Sequence, residues 1–223
     1  MTVPDTAATT PSLPRLNEPA PDFEAVTTHG PIRLSDLTNA GKWVLFFSHP
    51  ADFTPVCTTE FVAFSELAPE FEKRNTQLLG LSVGSIPSHL AWMQDIERNL
   101  GVKVPFPVIA DLDMRVSQLY GMIHPGVSST AAVRAVFLID PKRTLRAMVY
   151  YPLTTGRWMP EFLRVLDALQ TTDAHGVSTP ANWTPGNEVV VPAPATVQAI
   201  AAEEARKNDY DYKSWYLRLK KLE

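Results

Sequence analysis

The chain has 223 residues, 45% hydrophobic and 20% charged, with a formal net charge of -4 and a pI near 5.7. These proportions belong to a folded globular chain and exclude a largely disordered one. No basic surplus marks a nucleic-acid binder or a polybasic membrane anchor, and no apolar run approaches the roughly 18 residues of a membrane span.

Residues 1–16 are rich in Thr, Pro, Ala and Ser and have little to bury, so a flexible tail is expected there. The tail has one basic residue, Arg15, and no apolar stretch, unlike a signal or transit peptide. A cytoplasmic location follows as the expectation. Asp22–Val26 and Ile32–Leu34 read as a hairpin with His29-Gly30 at its turn. Trp43–Ser48 is a continuous apolar run that suits a strand buried on both faces. Pro50–Pro55 reads as a loop and Val56–Arg74 as a helix, with Phe61, Phe64, Leu67, Ala68 and Phe71 on one stripe.

Gln77–Val83 is a second buried strand. Ser88–Leu100 is a second helix, whose stripe is read as Leu90, Met93, Ile96, Glu97 and Leu100. Val108–Ala110 is a short strand and Val116–Tyr120 a short helix. Val133–Ile139 and Leu145–Tyr150 are two strands joined by a turn at Asp140–Arg143, and Pro160–Leu169 is a helix that starts on proline. This order is that of an α/β, thioredoxin-like fold with an N-terminal hairpin, over residues 17–170. Residues 171–223 form a C-terminal extension: a proline-rich extended segment to Ala195, a helix over Val197–Lys207, and an aromatic end expected to be covered.

Cys57 is the only cysteine, so an intramolecular disulfide is excluded and a reducing compartment is the simpler setting. A lone cysteine is usually a small buried hydrophobe. Three local features argue otherwise. Thr54 can cap a helix with Pro55 in its first position, which puts Cys57 in the first turn, where unpaired N–H groups favour a thiolate. The loop follows the carboxyl end of a buried strand, where open α/β sheets place their chemistry. Pro50 and Pro55 stiffen it and could hold the Thr54 hydroxyl near the sulfur.

The segment Ser48-His49-Pro50-Ala51-Asp52-Phe53-Thr54-Pro55-Val56-Cys57-Thr58-Thr59-Glu60 resembles the peroxidatic-cysteine motif of the one-cysteine peroxiredoxins. Arg134, in Val133–Asp140, matches that family's active-site arginine, and Tyr151–Arg157 matches a second signature carrying Arg157. The resemblance runs from about Leu16 to the C-terminus. It implies a thiol-dependent peroxidase acting on hydrogen peroxide and organic hydroperoxides through a sulfenic acid on Cys57. It further implies that Arg134 and Thr54 bind the peroxide and that Pro50 shields the pocket. Glu60 and Arg157 would support the site, and His49 would lie near it as an acid, a hydrogen-bonding group or packing.

No second cysteine is present, so an external thiol or another small reductant must regenerate Cys57. The family pairs subunits, which implies a homodimer or a ring of dimers. No cofactor is implied, and no metal is expected, because His29, His89, His124 and His175 lie scattered without ligand spacing. Ala40-Gly41-Lys42-Trp43-Val44 stands where mammalian relatives carry a lipase-like Gly-x-Ser-x-Gly segment, so phospholipase chemistry by that route is not expected. A disulfide oxidoreductase would want Cys-x-x-Cys, and Glu60 holds the second position. A cysteine hydrolase with His49 as base, or a redox sensor or chaperone without turnover, are the other readings.

Overall fold

Trp43–Ser48 (β3) is buried along its whole length and lies at the heart of the fold. The computed structural model describes residues 13–222 and divides them into two compact units, one ending at Met159 and one starting at Pro160. Most of the expected tail therefore lies outside the described residues. Among the described residues no helix is long and apolar enough to cross a membrane.

The first unit follows β1 (Glu24–Thr27), β2 (Gly30–Arg33), α1 (Leu34–Asn39), β3, α2 (Pro55–Lys73), β4 (Thr76–Ser82), α3 (Ile86–Leu100), β5 (Val108–Ala110), α4 (Arg115–Leu119), β6 (Arg134–Ile139) and β7 (Leu145–Tyr151). Its sheet has seven strands in the order β2-β1-β5-β4-β3-β6-β7. β3, β4 and β5 run parallel, while β6 pairs antiparallel with β3 and β7 with β6. The expected hairpin forms, with Gly30 at φ 101° opening its second strand. Leu34, expected to end that strand, starts the short helix α1 instead.

Side chains alternate across a strand, and β3 shows why this matters here. Phe46 packs on one face with Phe23, Tyr120 and Phe137. Phe47 packs on the other with Phe61 and Phe64 of α2 and with Phe106. His49 continues the Phe47 row past the strand's end, against Phe61 and Trp92. The α2 helix is thus held by its aromatic stripe, and its first turn projects over the carboxyl end of the parallel strands.

The stripe expected on α3 needs correction. Its buried residues are His89, Trp92 and Ile96, while Leu90 and Leu100 are exposed. The helix is rotated so that two residues with polar ring atoms face inward. They can do so because each finds a partner: His89 pairs with Asp52, and the Trp92 indole N–H donates to Thr58 Oγ1 at 3.2 Å.

The second unit contains α5 (Met159–His175) from its second residue on, β8 (Val189–Val190), α6 (Val197–Ala205), β9 (Asp211–Ser214) and β10 (Leu217–Lys220). The three strands form a small antiparallel sheet in the order β8-β10-β9, which the sequence did not suggest. Arg218, buried in it, is paired with Glu203 and donates to the Pro192 carbonyl. Trp215 and Tyr216 lie at the β9–β10 turn with 40% and 58% exposure, so these two rings of the aromatic end stand open, while Tyr210 and Tyr212 are half-buried.

Candidate active site

β3 ends at Ser48, and the loop from His49 to Thr54 carries the chain to α2. Phe53 adopts φ 54° there, a conformation that side chains larger than glycine's seldom take. Thr54 takes the extended N-cap backbone conformation and Pro55 the first helical position. The cap itself differs from expectation. The Thr54 hydroxyl donates back to the Ala51 carbonyl at 2.9 Å, leaving the first-turn amides without a side-chain cap. Cys57 lies in that turn, fully buried.

Arg134 opens β6, the neighbour of β3, which brings it to Cys57 from 77 residues away; its Nη1 donates to Sγ at 3.3 Å. The same Nη1 donates to Glu60 Oε2 at 2.7 Å, and Nε and Nη2 both donate to the Leu153 carbonyl, at 3.0 and 2.8 Å. Arg157 grips the other side of Glu60, with Nε 2.8 Å from Oε1 and Nη2 2.7 Å from Oε2; its backbone N–H also reaches Oε1. Its Nη1 donates to the carbonyls of Ser48 and Ala135 at 3.0 and 2.9 Å, and its guanidinium lies over Phe47 and Phe64. Read alone, either arginine would be a surface charge; both are buried and share one buried carboxylate.

Burial by itself would push the Glu60 carboxyl up. The hydrogen bonds and charge of Arg157, with the charge of Arg134, outweigh it and hold Glu60 below its ordinary 4.5. Asp52 behaves alike. Burial raises it, but hydrogen bonds from His49, His89 and Ser88 carry it far down. Both carboxyls bind protons more tightly in the unfolded chain, so both stabilise the fold above their ordinary values and lose that contribution as pH falls toward their folded ones. Urea unfolding followed from pH 7 down to pH 2 should therefore show stability falling below about pH 4.5. Glu60→Gln should flatten part of that fall; an unchanged slope would refute the assignment.

His49 is fully buried. Its Nε2 is 2.9 Å from Asp52 Oδ1, and its Nδ1 has no partner among the described residues. Asp52 Oδ2 takes His89 Nδ1 at 2.7 Å and Ser88 Oγ at 2.6 Å. The histidines are therefore not all scattered, as sequence spacing suggested: His49, Asp52 and His89 bring ring and carboxylate atoms within 4.8 Å of one another. Each close contact in the trio is a hydrogen bond, so the group is read as a bonded network. Pro50 is half-buried beside it. Asp52 and His89 were missed as site residues; the inward ring at position 89 could have been found only by placing the α3 face correctly.

Comparison with known proteins agrees with this geometry. Residues 16–148 match the AhpC/TSA family, and residues 168–206 match the C-terminal domain of 1-Cys peroxiredoxin. A peroxiredoxin 2 of Caldanaerobacter subterraneus subsp. tengcongensis is 54% identical over 210 residues, covering 94% of each chain. The solved structure of a yeast mitochondrial 1-Cys peroxiredoxin, resolved through glutathione/thioredoxin systems, superposes with a TM-score of 0.83 at 44% identity; the match covers 93% of this chain and 99% of that one. A peroxiredoxin 6 of Arenicola marina gives 0.82 at 38% identity, covering 93% and 97%. The chain belongs to the AhpC/TSA family, as a one-cysteine peroxiredoxin and hence a thiol-dependent peroxidase.

Proposed function

We propose that Cys57 attacks the peroxide as a thiolate, with Arg134 as the group that binds the reacting atoms. The observation that carries this reading is the contact of Arg134 Nη1 with Cys57 Sγ at 3.3 Å between two buried side chains. Two guanidiniums face one carboxylate, so the thiolate completes the local charge balance. A guanidinium has five N–H groups. Four of those on Arg134 are used by Leu153, Glu60 and Cys57, which leaves one on Nη2 for a peroxide oxygen.

Sulfur takes the nearer peroxide oxygen, the O–O bond breaks, and the alkoxide or hydroxide leaves and picks up a proton. Cys57 is left as a sulfenic acid. Arg134 and the Thr54 hydroxyl, once turned from Ala51, hold the peroxide; Pro50 keeps water out; Glu60 and Arg157 fix Arg134. A reductant thiol then displaces water from the sulfenic acid to give a mixed disulfide, and a second thiol releases Cys57. Glutathione- or thioredoxin-type thiols fit this step, since the yeast mitochondrial relative is resolved through those systems.

Peroxide added to the reduced protein should be consumed in a rapid burst of about one equivalent per chain, followed by turnover only when a thiol is supplied. Cys57→Ser should abolish the burst; a burst that persisted would end the reading. The chain also works as a homodimer or ring of dimers in the cytoplasm. The exposed Trp215 and Tyr216 support a covering partner, and the single cysteine supports a reducing compartment. Sedimentation at micromolar concentration should give at least a dimer, and a monomer would count against it. Cell fractionation tests the location.

A further inference from the structure

Asp52 is the hub of a buried network that the peroxidase cycle above does not use. Its Oδ1 meets His49 Nε2, while its Oδ2 meets His89 Nδ1 and Ser88 Oγ. His89 is fully buried, and its Nε2 lies 3.2 Å from the Ile109 carbonyl. A carboxylate and a carbonyl only accept hydrogen bonds. Both His89 contacts are therefore made only when both ring nitrogens carry hydrogen. The backbone is shaped to admit this ring: a Cβ at Gly84 would stand 2.8 Å from His89 Cε1. The buried Asp111 carboxylate, two residues beyond Ile109, accepts from the amides of Val116 and Ser117.

His49 sees the other side of Asp52. It donates Nε2–H to Oδ1, which leaves the Nδ1 lone pair buried and without a partner among the described residues. The charged groups that act on His49 are Asp52, His89 and Arg157, and the last is bonded to the carbonyl of Ser48, the preceding residue. Asp52 alone would draw a second proton onto His49. A cation there would stand close to Arg157, and so close to the carboxylate that holds Arg134 on Cys57.

We propose that His89 is a positioning residue of the peroxidase site: held as a cation between Asp52 and the Ile109 carbonyl, it cancels the Asp52 charge and so keeps His49 neutral, with Nε2–H on Asp52 and Nδ1 free. The proposal rests on the reading of Cys57 as the attacking thiol. Burial pushes the His49 imidazole below its ordinary range, Asp52 opposes that, and the charges of His89 and Arg157 reinforce it, which is the balance the geometry describes. With His89 gone, only burial and Arg157 oppose Asp52, and the balance at His49 moves toward the imidazolium.

Nitrogen-15 NMR of the wild-type protein at neutral pH tests the charge state directly. His89 should show two protonated ring nitrogens and His49 only a protonated Nε2; a singly protonated His89 would overturn the proposal, whether or not any variant folds. Stopped-flow oxidation of Cys57 between pH 5 and 8 tests the consequence. His89→Gln should add a second ionisation to the wild-type profile and change the ratio of rates at pH 6 and pH 8 by about threefold or more. Asp52→Asn combined with His89→Gln removes both charges and should restore the wild-type shape, which a purely structural role would not do. An unchanged His89→Gln profile, or a double variant no different from the single one, would overturn the proposal. A wild-type protein without a peroxide burst would instead refute the reading on which it rests.

Discussion

Arg134→Met should slow the oxidation of Cys57 by about 10²- to 10³-fold, the loss of roughly 3–4 kcal/mol of transition-state stabilisation typical of a fixed donor aimed at developing charge. Ionisation of the thiol cannot supply this. A free thiol of pKa about 8.5 is roughly 3% thiolate at pH 7, so complete ionisation gains no more than about 30-fold, or about 2 kcal/mol. The remainder must come from a group that meets the departing oxygen, and Arg134 is built for that. The Leu153 carbonyl takes two of its N–H groups and Glu60 a third, so the guanidinium is fixed before peroxide arrives. Arg134→Lys separates charge from shape. A lysine keeps the positive charge but lacks the planar fork, and should recover less than a tenth of the wild-type rate. Stopped-flow oxidation with hydrogen peroxide measures both variants, and a thermal melt confirms that each is folded. A Met variant within about tenfold of wild type would remove Arg134 from the reacting atoms.

The parts of this fold that were legible in the sequence are those whose signal is local and strong. β3 was read with its observed bounds because five apolar residues in a row, closed by Ser48, leave a strand no exposed face. α2 was read to within a residue at each end, its proline start and phenylalanine stripe being unambiguous. α1 was lost because its opening residue, Leu34, also continues the alternation of the hairpin, and six residues are too few to show a helical period. The C-terminal sheet was lost because β8 has only two residues and its pairing with β10 bridges a stretch that carries its own helix. Pairing of that kind is decided by the fold and leaves little pattern in the strand.

The site divides the same way. Cys57 and Glu60 lie one turn apart on one helix, and the loop before them carries a recognisable motif. Arg134 and Arg157 were placed by resemblance, and their burial around one carboxylate could not be read from spacing. Thr54 was placed as a cap on propensity, but its hydroxyl found the nearer Ala51 carbonyl, a competition that short polar side chains often settle locally. Asp52 and His89 were missed for a different reason. A buried histidine reads as polar in a hydropathy pattern, so the stripe was assigned to Leu90 and Leu100, which face solvent. The error was one of helix rotation, and it hid the network that ties α3 to the active-site loop.

Glu60→Ala should cost the fold roughly 3–5 kcal/mol, because it leaves two buried guanidiniums without their shared carboxylate. Glu60 accepts from the backbone N–H, Nε and Nη2 of Arg157 and from Nη1 of Arg134, and no other carboxylate is bonded to either side chain among the described residues. Glu60→Gln should not rescue it fully, since its amide group would turn a donor toward a cation. Urea unfolding at pH 7 measures both. Stability alone does not account for such a network, however: a buried ion cluster replaced whole by well-packed apolar groups often leaves a protein equally stable or more so. The combined replacement of Glu60, Arg134 and Arg157 by methionine should therefore recover much of the stability lost in Glu60→Ala. The recovery should be partial, because the Ser48 and Ala135 carbonyls lose the donors that Arg157 gave them. Oxidation of Cys57 should not recover at all. A folded, stable and slow triple variant would show that the two arginines and their carboxylate are retained for the chemistry at Cys57, and a triple variant with the wild-type rate would show that they are not.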